Sequence, residues 1–129
     1  MRIDITHIHS TTSSPLIDFT TVYGTGHAVW ASSVPKLHET YDVEFEIPET
    51  LVWEETITFA EEASMHISYE ADMLHLTGLL EQIDEYGIGA LRIGNSLLLI
   101  ECEALSSYPV HSRYVRISIK QAYLHNTGI

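Results

Sequence analysis

The side chains best suited to chemistry in this chain are its histidines, its carboxylates and a single cysteine. Eight histidines occur in 129 residues. His7 and His9 stand two apart in an alternating segment, so an extended backbone points both to one face. Two imidazoles so placed can supply two ligands to a borderline divalent metal. No third ligand has a sequence signature, and the spacing equally suits two half-buried histidines beside Ile3 and Ile5. The sequence reading therefore assigns no metal. His66 and His75 share the outer face of a candidate hairpin and are read in the same way. Neither an HExxH pair nor a zinc-type Cys/His spacing is present.

Cys102 lies between Glu101 and Glu103. Neighbouring carboxylates raise a thiol pKa and oppose a reactive thiolate. Alternation also puts Cys102 on the Leu98 and Ile100 side, so it is expected to be buried and inert. Glu54-Glu55 and Glu61-Glu62 are adjacent pairs whose side chains tend to diverge. There is no GxSxG, no Gly-rich phosphate loop and no dinucleotide fingerprint. No catalytic residue and no cofactor is assigned, and the chain is not read as an enzyme. Tyr23 and Trp30, with Trp53, Tyr41 and Tyr108, are candidates for a ligand-stacking platform. Their plainer reading is as core aromatics.

The carboxylates are unevenly spread. The formal charge is -12, from 18 Asp or Glu against 6 Lys or Arg. Residues 37–91 hold 14 of those acids and no Lys or Arg, while both flanks are neutral or slightly basic. A net negative surface repels phosphates, so nucleic acid and anionic membranes are disfavoured as partners. The 45% apolar content argues against disorder. A lone cysteine excludes an internal disulfide framework. No apolar run exceeds four residues, so neither a membrane span nor a secretory h-region is expected. Together these features suggest a cytoplasmic setting.

The elements that must position these residues read as strands of one β domain over 1–129. Tyr41–Ile47 alternates strictly, which makes a half-buried strand with Asp42, Glu44 and Glu46 on its outer face. Gly94-Asn95 suits a two-residue hairpin that pairs Ile93 with Ser96, Arg92 with Leu97 and Leu91 with Leu98. Asp84–Gly87 closes a second hairpin, pairing Ile83 with Ile88, Leu80 with Leu91 and Leu79 with Arg92. A third turn at Ala71-Asp72 pairs Tyr69 with Leu74 and Ile67 with Leu76, although Ala-Asp is poor turn chemistry. Gly78 is read as a bulge or sharp bend. Further strands are expected at 2–9, 16–23, 28–31, 114–119 and 122–125, with 16–23 and 28–31 joined around Gly24-Thr25-Gly26. Residues 49–64 suit helix or strand, and β-branching at 56–58 favours a strand over 55–60.

Many short strands suggest an all-β fold, a small antiparallel barrel or barrel-like sandwich. The order of a long bent strand, two hairpins, a connection and two strands resembles an oligonucleotide/oligosaccharide-binding (OB) barrel over residues 65–125, with extra N-terminal strands. The resemblance is architectural and transfers no functional residue. One face of that meander carries Leu79, Arg92 and Leu97, with Leu99 beside them. Burying a leucine is worth roughly 1.5–3 kcal/mol, so the N-terminal half is expected to cover this face, or else a partner or a second copy does. Arg92 then needs a carboxylate, with Glu81 and Glu101 in reach.

In being small, acidic and without catalytic motifs, the chain is similar to bacterial immunity proteins. That likeness, one of overall properties, implies a noncatalytic module that binds a basic protein. The contact candidates, taken from the charge and face pattern of this chain, are the carboxylates of 39–55, among them Asp42, Glu44 and Glu46, and the face of Leu79, Arg92 and Leu97. The alternatives are a barrel binding a small ligand or saccharide through Tyr23 and Trp30, and an enzyme lacking a recognisable motif.

Overall fold

The strand order was obtained from a computed structural model that describes residues 1–9, 14–103 and 111–127. Twelve strands account for the regular structure there: β1 (Arg2–Ile8), β2 (Leu16–Thr21), β3 (Gly24–Trp30), β4 (Thr40–Glu46), β5 (Thr50–Leu51), β6 (Ile57–Phe59), β7 (His66–Glu70), β8 (Met73–Ile83), β9 (Ile88–Ile93), β10 (Ser96–Cys102), β11 (His111–Ile119) and β12 (Tyr123–Asn126). No helix occurs among the described residues, and hence none that is long and apolar enough to cross a membrane.

Five strands close a barrel in the order β12-β4-β1-β2-β3, and a parallel pairing of β12 with β3 completes the ring. Four of its five strands come from the first 46 residues. The meander β7-β8-β9-β10 extends from β3 in the same hydrogen-bonded order, as a sheet attached to the ring. Strand β11 covers the other edge of β8 and carries the short β6. The closed ring is therefore N-terminal, whereas the 65–125 meander that suggested a barrel forms the attached sheet.

Two hairpins have the expected register. Arg92 faces Leu97 and Leu91 faces Leu98 across the Gly94-Asn95 turn. Gly94 has φ 63, and a Cβ there would lie 1.8 Å from the Tyr23 hydroxyl, so both backbone and packing require glycine. Tyr69 faces Leu74 and Ile67 faces Leu76 across Ala71-Asp72. Both turn residues take positive φ, 52 and 60, despite their side chains.

The middle hairpin departs from expectation. Leu79–Arg92 and Leu80–Leu91 pair as anticipated, but Ile83 then faces Gly89, not Ile88. The irregularity falls at Glu81, between Leu80 and Gln82, rather than at Gly78. Gly78 pairs regularly with Val115. It marks where one edge of β8 passes from β7, whose first residue His66 faces Thr77, to β9, whose Arg92 faces Leu79. Its hydrogen faces the Arg92 carbonyl, which a Cβ would approach to 2.4 Å. The β2–β3 hairpin also turns at Val22-Tyr23 instead of Gly24–Gly26, because Thr21 already pairs with Gly24. Residues 57–59 are strand, as β-branching suggested.

The alternating apolar residues fill one continuous core. Ile3, Ile5, Ile17, Phe19, Val43 and Leu124 supply the barrel side, and Leu80, Leu91, Leu98, Val115 and Ile117 the sheet side. Ile67, Leu74, Leu76, Ile93 and Ile100 are buried as the face pattern required, and Tyr69 is half-buried.

Candidate functional site

Two places on the surface bring chemically capable side chains together. The first is a groove between β4 and β10. Asp42, Val43, Glu44 and Phe45 form one wall, and Ser96, Leu97 and Leu98 the other, around about 300 Å³. Alternation on β4 buries Val43 and Phe45 and turns Asp42, Glu44 and Glu46 outward. Their electrostatic surroundings differ. Arg2 reaches Asp42 at 3.8 Å, and His125 Nε2 lies 2.6 Å from Glu46 Oε1. No partner is found for the exposed Glu44 carboxylate among the described residues. Asp42 also lines an adjoining cavity of about 660 Å³ with Arg2, Asp4, Thr20, Tyr23 and Asn95.

Leu97 continues onto an outward ladder in which it pairs with Arg92, Leu99 with Ala90 and Glu101 with Ile88. Leu97 is 54% exposed and Leu99 70% exposed. The N-terminal half thus does not cover this face, contrary to the preferred expectation. That half closes on itself as a barrel, and its strand pairing with the meander is made at β7. Arg92 has its carboxylate: its Nε donates to Glu81. The hydrogen bond from Arg92 holds the Glu81 carboxyl below its ordinary range, against a smaller opposing effect of desolvation. Glu81 and Arg92 lie on the paired strands β8 and β9, so this contact is local to the meander. Leu79 is half-buried between its cross-strand neighbours Arg92 and Tyr114. It adds little to an exposed patch, whose apolar members are Leu97, Leu99 and Ile88.

The two aromatic candidates separate. Trp30 is 0% exposed, and its indole N–H donates to the Ser33 carbonyl. It has no ring surface to offer a ligand and belongs to the core, at the β3–β12 seam. Tyr23 is half-buried and does line the larger cavity. Tyr108 lies outside the described residues. Cys102 is buried, and burial, with a smaller contribution from Glu101, pushes its thiol up to about 11.

The second place lies on the outer wall of the barrel, over β1, β2 and β3. Asp18 at the centre of β2 faces His7 across the β1 pairing and His27 across the β3 pairing. His9, just beyond β1, reaches the same carboxylate. The His9 Nε2 and His27 Nδ1 atoms lie 2.9 and 2.8 Å from Asp18 Oδ1. The His7 ring packs edge-on to His9 at 4.4 Å, and Tyr69 packs against His27 at 4.8 Å. Burial acts to raise the Asp18 pKa, but the hydrogen bonds to His27 and His9 outweigh it and hold the carboxyl below its ordinary value.

Sequence alternation alone placed His7 on the Ile3 and Ile5 face. A bulge between Ile5 and His7 inserts Thr6, and so turns His7 to the outside opposite Asp18. Asp18 and His27 carry no sequence signature for this role; only the pairing of three strands collects them. His66 and His75 are not brought into such a cluster. His75 Nδ1 is held 2.8 Å from Ser118 Oγ, and His66 faces Thr77.

A comparison with protein-family models, with curated proteins and with solved structures found no match.

Proposed function

We propose that this protein is a noncatalytic protein-binding module of the immunity or inhibitor type. Its partner presents basic and apolar side chains to the groove between β4 and β10. One observation carries the reading: Asp42 and Glu44 on one wall and Leu97 on the other converge on a single groove. A carboxylate without a partner among the described residues, beside the exposed Leu97 and its ladder neighbour Leu99, is a poor arrangement in water. Solvating the carboxylate leaves the leucines wet, and covering the leucines with an apolar lid strands the charge. A partner with an Arg or Lys flanked by apolar residues satisfies both, because its guanidinium or ammonium meets Glu44 while its aliphatic stem lies on Leu97. Arg92, already paired with Glu81, frames this surface. The same negative wall disfavours nucleic acid.

Immobilised wild-type protein is expected to retain a basic protein from a lysate of its native host at low salt, and to release it as salt rises, since the screening length falls from about 10 Å at 0.1 M to about 3 Å at 1 M. Glu44→Lys with Glu46→Lys is expected to abolish that retention while preserving the β-sheet circular dichroism. Equal retention by the reversed protein refutes the electrostatic groove.

A second reading is favoured by the adjoining cavity, whose about 660 Å³ lies in the range of small-ligand sites. Tyr23 offers it a ring, and Asp4, Arg2, Thr20 and Asn95 offer polar groups. A saccharide or other polar small molecule fits that lining. A thermal-shift panel of sugars and nucleotides tests it, since a specific ligand stabilises the fold by mass action. A flat response across the panel discards it. The OB-type reading of residues 65–125 adds only the meander to this case.

A further inference from the structure

The histidine cluster on the barrel wall lies apart from the groove and is not used by the reading above. Its donor atoms are the His9 Nε2, the His27 Nδ1 and one Asp18 carboxylate oxygen, all within 4.8 Å of one another. We propose that His9, Asp18 and His27 form a binding site for a divalent late-transition-metal ion of the zinc type.

The donor chemistry selects the ion. Two imidazoles and one carboxylate suit zinc, copper, nickel and cobalt, whereas calcium and magnesium need a fuller set of oxygen ligands. Three protein donors with a water in the fourth position is a common zinc arrangement. The spacing is close to what such an ion requires. Bonds of about 2.0–2.2 Å in a tetrahedron put neighbouring donors roughly 3.3–3.6 Å apart. The two nitrogens now lie 2.9 and 2.8 Å from Asp18 Oδ1, sharing protons with it. An ion replaces those protons, asks each nitrogen–oxygen pair to open by roughly half an ångström, and draws the two nitrogens, which lie within 4.8 Å of each other, toward the same spacing. The site has the freedom to do so. The His9 and Asp18 side chains are 38% and 40% exposed, while His27, at 20%, is anchored against Tyr69.

The backbone independently supports a built site. His9, Asp18 and His27 come from three adjacent chain segments whose pairing is fixed by the β1–β2 and β2–β3 ladders. The Thr6 bulge interrupts one of those ladders and re-aims the end of β1. It places His7 opposite Asp18, and the His7 ring then stands edge-on to His9. His7 packs on His9 and is not one of the three donors.

The test uses tag-free, chelator-treated full-length protein, because a histidine tag would compete. Isothermal titration with Zn²⁺ is expected to show one equivalent bound, and Co²⁺ to give visible d–d bands that Zn²⁺ abolishes. His9→Gln with His27→Gln is expected to weaken Zn²⁺ binding at least 100-fold, and Asp18→Asn at least tenfold. The exposed control His66→Gln is expected to keep wild-type affinity. Circular dichroism of each metal-free variant checks folding. Asp18→Asn keeps the size of the side chain, so a loss of binding in a folded Asp18→Asn protein reports the ligand itself. Failure of folded wild-type protein to bind Zn²⁺ at micromolar concentration overturns the site. So does unchanged binding in a folded His9→Gln, His27→Gln protein, which would assign the metal to other histidines.

Discussion

Cys102 sits on the inward face of β10 with 2% of its surface exposed, and its neighbour Glu101 faces outward. A thiolate there would have to give up hydration, so the thiol ionises near 11 in the fold against an ordinary value of 9.0. The sign of the linkage follows. Below pH 9 both folded and unfolded chains hold the proton, and the full stability is present. Between pH 9 and 11 only the unfolded chain loses the proton, so stability falls as pH rises, by on the order of 2–3 kcal/mol. Denaturation across this range, compared with Cys102→Ala, is expected to show that extra slope only in the wild type. A disulfide reagent at pH 8 is expected to label the native thiol at least 100-fold more slowly than the unfolded one. Rapid native labelling contradicts its burial. The inertness of Cys102 was legible because alternation and the two flanking carboxylates are local facts. The His9–Asp18–His27 cluster was not, because it depends on a one-residue bulge and on which strand pairs with which.

The hairpin between β7 and β8 shows how elements can outvote local chemistry. Ala71 and Asp72 both adopt the left-handed region, which costs roughly 1–2 kcal/mol per residue for ordinary side chains. The register survives because a slip of one residue would turn Ile67, Leu74 and Leu76 out of the core. Replacing the pair by Asn-Gly supplies residues that favour this turn. The Ala71→Asn, Asp72→Gly protein is expected to be about 1 kcal/mol more stable in urea denaturation, with an unchanged slope; a loss of stability contradicts the turn geometry. Gly78 makes the opposite case. Its alanine variant is expected to cost about 1–3 kcal/mol by overpacking against the Arg92 carbonyl and Ile93. The Ala71-Asp72 and Gly94-Asn95 hairpins were readable from sequence because the strands on either side alternate in matching phase, whereas the Gly24–Gly26 turn and the Gly78 bend were misplaced. The bulge at Glu81 was not readable. A bulge adds one residue to an otherwise good alternation, and the sequence on either side reads equally well with or without it.

At the scale of the molecule, the closed barrel and the attached sheet could behave as two bodies or one. Their covalent order is mixed: β12, from the end of the chain, closes the barrel begun by β1. Strand β3 continues into the sheet through a parallel contact of Gly24 with Ile67, where the Ile67 N–H donates to the Tyr23 carbonyl at 3.0 Å. Buried side chains from both parts belong to one cluster, so neither part can open without wetting the other. Unfolding is therefore expected to be a single cooperative step. The two tryptophans make this measurable. Trp30 lies at the seam that closes the barrel, and Trp53 packs on Phe59 beside β6, in the attached sheet. In Trp30→Phe the fluorescence reports the sheet, and in Trp53→Phe it reports the barrel. Each substitution shifts stability by its own amount, so each fluorescence curve is compared with circular dichroism of the same variant. Coincident urea transitions by both probes, with one slope of about 1–3 kcal/mol/M, are expected in each. A fluorescence transition that precedes the circular dichroism transition in either variant would separate the barrel from the sheet. It would also mean that the groove between β4 and β10, which takes one wall from each part, is not a fixed surface.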